Sequence, residues 1–164
     1  MPINYSIGDC RRFWKEMIEY RLKIDSRITR AVKPLIAQCF SECGKTSTPS
    51  FPYLDEQDED LADAWRESLR EDMYQDRKSL ALLLNNPKFA HGYIEIEEES
   101  AEFILRAITE IRLYIRISYL KSFADSELES GDFSLDKKNK DAQSYYLAYL
   151  VLAEIQEGLI AEMV

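Results

Sequence analysis

The sequence predicts an all-α protein: a bundle of four to five helices with a small two-stranded ribbon. Three observations carry that expectation. Apolar residues recur at helical spacing in four long segments. Hydrophobic residues at 46% and charged residues at 31%, with Gly and Pro at 5 each, match a helix-rich globular chain rather than a disordered one. One-sided stripes must bury their faces against each other, and helices with such stripes do so as a bundle. The 164 residues are the size of one domain, so residues 1–164 are expected to share a single core.

Ile3, Tyr5 and Ile7 alternate with Asn4 and Ser6, and Tyr93 to Glu97 alternates again. Residues 3–7 and 93–97 are expected to pair, leaning on helices because two strands alone are marginal. The first helix is expected from Asp9 to about Cys43, with Phe13, Met17, Ile24, Ile28, Ala31 and Leu35 on one stripe. Pro34 removes a backbone donor and crowds the preceding turn, which predicts a kink or two abutting helices near Lys33. Gly44 reads as the C-terminal cap before the loop KTSTPSFPYLDEQ.

The second helix is expected from about Asp58 to Leu84, with Leu61, Trp65, Leu69, Met73, Leu80 and Leu83 inward and Asn85, Asn86 and Pro87 as its stop. The third begins among Glu97 to Glu99, acids suited to the positive end of the helix dipole, and runs to about Phe123. Residues 124–140 are polar, contain Gly131 and read as a loop. The last helix covers about Asp141 to Met163, with Tyr145, Tyr149, Leu152, Ile155, Leu159 and Met163 as its apolar face.

Arg112 breaks the pattern. Projected at ~100° per residue it falls among Ala101, Leu105, Ile108 and Tyr119, where hydrocarbon belongs. A guanidinium cannot escape burial by losing its proton, so a partner must neutralise it. On the second helix Asp76 points between Trp65 and Leu69, with Asp72 at the near edge; on the last, Gln156 points into the apolar sector. Arg112, Asp72, Asp76 and Gln156 therefore form a candidate polar cluster. It has two readings: a satisfied network that sets helix register, or a pocket in which Arg112 grips an anionic ligand. Glu102, Arg106 and Glu110, spaced by four on another face, read as ordinary helix support.

The net charge of -9 disfavours general attraction to phosphate backbones or anionic lipid. It is unevenly spread. Residues 1–45 hold nine Lys or Arg against five Asp or Glu (+4), and the remainder twelve against twenty-five (-13). Arg12, Lys15, Lys23, Arg27, Arg30 and Lys33 form a candidate basic face on the first helix, interrupted by Glu16 and Glu19. A solvated face, or one docked on the acidic half, accounts for it more simply than nucleic acid.

No catalytic residue, cofactor site or metal site is indicated. The sequence has no phosphate-gripping glycine loop, no paired Glu-x-x-His and no Ser or Cys with an evident His and acid partnership. Cys39 and Cys43 lie one turn apart, but Cys10 and the single histidine, His91, would have to complete a metal set, so free thiols are expected. His91 beside Gly92 reads as a surface residue. The opening MPINYSIGDCRRFW lacks the basic-then-apolar order of a secretory signal, and the apolar run Tyr145 to Ala153 falls short of the ~20 residues a membrane span needs. A cytoplasmic protein with no membrane partner is expected.

The run AEFILRAITEIRL, residues 101–113, resembles the Ala-Glu-x-x-Leu-Arg-Ala-Leu-Asn-Asp-Leu-Arg-Leu signature of a bacterial family called "domain of unknown function two thousand and seventeen". Trp65, Arg66, Glu71, Asp72 and Met73 resemble its Phe-Arg and Glu-Asp-Asp-Leu positions. Tyr149, Leu152, Ile155, Gln156, Glu157 and Leu159 resemble its Tyr-x-x-Leu-x-x-Leu-Gln-Glu-x-Leu ending. The likeness runs from about Pro49 onward. It departs at Thr109 and Glu110, which replace Asn-Asp, and at Arg116, where the family tends to have glycine. The resemblance implies an all-helical cytosolic protein, often encoded in actinobacteria near the Clp protease adaptor, with no established activity and an interaction or regulatory role.

The expectation for function is a non-enzymatic adaptor or regulatory protein acting through a protein partner. A small anionic-ligand domain centred on Arg112, nucleic-acid binding through the first helix, and a homodimer are the alternatives left open.

Overall fold

The computed structural model describes residues 19–46, 59–130 and 140–164. From Glu19 to Lys23 charged and apolar residues alternate, and this run forms β1 (Glu19–Lys23). It pairs antiparallel with β2 (Tyr93–Glu97), setting Tyr20 opposite Ile96 and Leu22 opposite Ile94. Tyr20, Ile94 and Ile96 are buried beneath the ribbon, while Glu19, Arg21 and Lys23 face out. The strand expected at 93–97 is present and pairs with 19–23; residues 3–7, the expected partner, lie outside the described residues. The first helix therefore does not run through from Asp9. A period-two run of Tyr20, Leu22 and Ile24 sits between stretches of helical spacing, and the helical projection absorbed it.

Asp25 starts α1 (Ser26–Thr46). Its Oδ1 accepts the Arg27 backbone N–H at 2.9 Å, the action of an N-cap. Thr29, Val32, Ile36, Cys39 and Cys43 form the buried stripe, whereas Ala31 is exposed and Ile24, Ile28 and Leu35 lie at the rim. The expected stripe was rotated because it was phased through the strand. The helix continues through Pro34 rather than dividing in two. Pro34 and Arg30 are both exposed, so solvent can serve the Arg30 carbonyl that loses its helical donor. Gly44 lies inside α1 rather than capping it, and a Cβ there would meet the Arg77 guanidinium.

The second long helix, α2 (Glu59–Asn85), buries Ala62, Asp76, Leu80, Leu83 and Leu84. Asn86 then caps the single turn α3 (Pro87–Ala90), accepting the Lys88 N–H at 3.0 Å with Pro87 in the first turn, and Phe89 is buried. Gly92, at φ 84°, turns the chain into β2, and its carbonyl accepts the Ile24 N–H at 2.8 Å.

Next comes α4 (Glu98–Ser118), with Glu98 and Glu99 in its first turn and Ala101, Ile104, Ala107, Ile108, Ile111 and Ile115 buried. It stops short of the expected Phe123 because Arg116 holds the following turn. That guanidinium donates to the carbonyls of Leu120 and Phe123 at 2.6 and 3.0 Å, and to Asp125 Oδ1 at 2.7 Å. The expected loop contains a short helix, α5 (Asp125–Ser130), anchored by buried Leu128. The last helix, α6 (Lys140–Met163), buries Ala148, Val151, Leu152, Ile155, Gln156 and Leu159, while Met163 of the expected face is exposed.

Among the described residues this is an all-α bundle with a two-stranded ribbon. The central helix is α4, which packs on α1, α2 and α6. Also, α6 lies against β1, where a Cβ on Gly158 would meet Leu22. No helix among the described residues is long and apolar enough to cross a membrane.

Candidate functional site

The four residues of the candidate cluster separate into two places. Arg112 and Gln156 meet where α4 crosses α6: Arg112 Nη1 donates to Gln156 Oε1 at 2.7 Å. The Gln156 amide nitrogen in turn donates to Thr109 Oγ1 at 2.6 Å and to the Leu105 carbonyl at 3.3 Å. The Arg112 guanidinium lies over the Tyr149 ring at 4.4 Å, a cation–π contact. No carboxylate among the described residues pairs with it, and its Nε–H is buried without a partner.

Asp76 does not serve Arg112. It is buried on α2 and takes a forked set of bonds from Arg106 on α4, at 2.9 to 3.2 Å. Asp72 is exposed one turn away and adds only longer-range attraction to Arg106. A helical projection gives the direction of a side chain and not the helix that lies opposite, and the Glu102–Arg106–Glu110 spacing made Arg106 look like surface decoration.

Beside Arg112 an open groove of about 410 Å³ runs between α4, α5 and α6. Arg112, Tyr149, Leu150 and Ala153 line one side, Leu128 and Glu129 the other. Arg116 and Asp125 also border it but are spent on each other, and Glu157 completes the rim.

A second polar knot had no sequence signal. The Glu42 carboxylate accepts the Tyr114 and Tyr119 hydroxyls, each at 2.7 Å, and the Gln38 amide at 2.8 Å. Tyr119 stacks on Tyr145 with ring centroids 3.7 Å apart. The bonds from Gln38, Tyr114 and Tyr119 hold Glu42 below its ordinary pKa, while the same carboxylate raises both tyrosines. These residues come from helices far apart in sequence and sit at the rim, where periodicity is silent. Because the folded Glu42 value lies below the unfolded one, its stabilisation is complete at neutral pH and fades as pH falls from about 4.5 through the folded value. Glu42→Gln is expected to flatten that acid limb in urea denaturation followed against pH; an unchanged limb would show that the knot is not built on the carboxylate.

Cys39 and Cys43 are buried outside any disulfide, Cys43 donating to Glu110 at 3.3 Å, and burial foremost pushes their pKa values up to about 11 and about 12, so both stay thiols at neutral pH. His91 is exposed, with Nδ1 3.4 Å from Arg30 Nη2. The candidate basic face is not one helical surface. Lys23 lies on β1 over the Tyr93 ring, the Arg27 guanidinium folds onto Asp25 at 3.0 Å, and only Arg27, Arg30 and Lys33 share α1. Arg12, Lys15 and Cys10 lie outside the described residues.

A third surface emerges from the α2–α4 pair. The two helices run antiparallel, because Asp76 meets Arg106 while Leu83 and Asn86 share a groove with Ser100 and Ile104. Trp65 lies about three full turns before Asp76, and Ile117 about three full turns after Arg106. Each therefore shares its partner's face, and the two sit level across the same seam; Leu69 and Leu113, two turns out, do likewise. Three of these side chains are exposed: Trp65 56%, Leu113 57% and Ile117 66%. Trp65 points along the seam as expected, but Leu61 and Trp65 are exposed where burial was expected.

Comparison of the chain with family models, curated proteins and solved structures finds no match.

Proposed function

We propose that the chain is a non-enzymatic helical adaptor or regulatory protein that works by docking a partner along the α2–α4 seam. The observation that supports this reading is the exposed strip of Trp65, Leu113 and Ile117, three large apolar side chains that share one seam. Charge selects the partner's chemistry. Asp72 stands exposed one turn from Asp76 toward Trp65, and the chain beyond residue 45 carries a local -13. A basic amphipathic helix, apolar on one face and Lys- or Arg-rich on its flanks, fits that seam.

An amphipathic Lys/Leu peptide titrated into the full chain provides the test. Binding is expected to weaken as salt rises and to fall at least ~10-fold in Leu113→Ser/Ile117→Ser, whose exposed positions leave folding intact. Tyr74→Ser, on the opposite side of α2, is expected to bind like the parent protein. Equal binding by the seam variant, or no binding by the parent, overturns the reading.

A further inference from the structure

We propose that the groove between α4, α5 and α6 binds a small zwitterion, a carboxylate and an ammonium group on a short apolar body of amino-acid to dipeptide size. Arg112 supplies the first requirement. Of its five N–H donors one is bonded to Gln156, none meets a carboxylate among the described residues, and the Nε–H is buried and unbonded. The Nε–H is closed off from the groove, but no hydrogen bond among the described residues engages Nη2, whose N–H groups are left for an anion in the groove. Tyr149 behind it and Gln156 beside it fix its plane before any ligand arrives.

The charges around Arg112 set the second requirement. Arg116 is neutralised by Asp125 and two backbone carbonyls, so it offers no further cation. Glu129 and Glu157, both exposed, face the groove without an ion-pair partner among the described residues. Among the described residues the groove thus presents one cation without a counter-charge and two carboxylates without an ion-pair partner. A plain anion would gain Arg112 but meet two like charges, whereas a zwitterion satisfies both signs. Leu128, Leu150 and Ala153 supply apolar lining for the body of the ligand. The volume of about 410 Å³ lies within the range of small-molecule sites.

The inference is independent of the seam, since neither Leu113 nor Ile117 lines this groove. Its test is calorimetric titration of the full chain with leucine and leucyl-leucine, set beside leucyl-leucinamide, which lacks the carboxylate, and N-acetyl-leucyl-leucine, which lacks the ammonium. The free dipeptide or leucine is expected to bind saturably, with each blocked form at least ~10-fold weaker. Glu157→Gln, an exposed change with no folding cost, is expected to weaken the free dipeptide while leaving the acetylated one unchanged. Arg112→Lys is expected to lose the dipeptide, because an ammonium cannot present the fork. No saturable binding at about 10 mM, blocked forms that bind as well as the free dipeptide, or a Glu157→Gln titration identical to the parent overturns the proposal.

Discussion

Gly92→Ala is expected to destabilise the protein by about 3 to 4 kcal/mol, through a strained left-handed backbone and the loss of a ribbon hydrogen bond. Gly92 sits at φ 84°, where a side chain is disfavoured. A Cβ there would also run into the Ile24 carbonyl oxygen, which is backbone and cannot rotate aside. The same residue accepts the Ile24 N–H, so relieving the clash pulls β1 away from β2. Tyr20 and Leu22 would then lift from Ile94 and Ile96, opening the core at the ribbon. Urea denaturation measures the loss, and amide exchange in β1 locates it. A loss below about 1 kcal/mol would show that the ribbon is not anchored at this turn.

Gln156→Leu is expected to cost about 3 kcal/mol, the lower end for stranding a buried charge, because Arg112 is only partly buried. Leucine keeps the volume but removes the acceptor for Arg112 Nη1–H and the donor to Thr109 and the Leu105 carbonyl. Arg112 would then have the Tyr149 ring and no side-chain hydrogen bond. Adding Arg112→Met to Gln156→Leu removes the stranded charge, and the double variant is expected to recover most of the loss, with a coupling of about 2 kcal/mol. Additive losses would show that the two side chains contribute independently.

Much of the fold was legible because α2, α4 and α6 carry strong helical periodicity and punctuated ends: Asn86 and Pro87 after α2, the acids at Glu98 and Glu99 opening α4. Tyr93–Glu97 was legible from its alternation behind Gly92. Its partner was not, since Tyr20, Leu22 and Ile24 fit a helical stripe almost as well as a strand. The meeting of Arg112 with Gln156 was visible because both point inward on neighbouring apolar faces. Asp76 was correctly read as buried, but its partner Arg106 looked like part of a surface ladder, and only packing shows which helix it crosses. Trp65 was placed on the right face, yet no pattern within one helix tells where its neighbour ceases to cover it. The Glu42–Tyr114–Tyr119 knot joins α1 to α4 and the turn after it through rim residues that obey no period.

Among the described residues Arg112 is a guanidinium without a counter-charge, held by Gln156 and Tyr149 beside an open groove. Such a residue is expected to contribute little to stability. The most direct measurement is the unfolding free energy of Arg112→Met, taken by urea denaturation in the parent background. Stability within about 1 kcal/mol of the parent or above it is expected, since hydrocarbon of similar size replaces an incompletely satisfied charge. A loss of about 3 to 5 kcal/mol would contradict it, being the signature of a buried pair broken from one side.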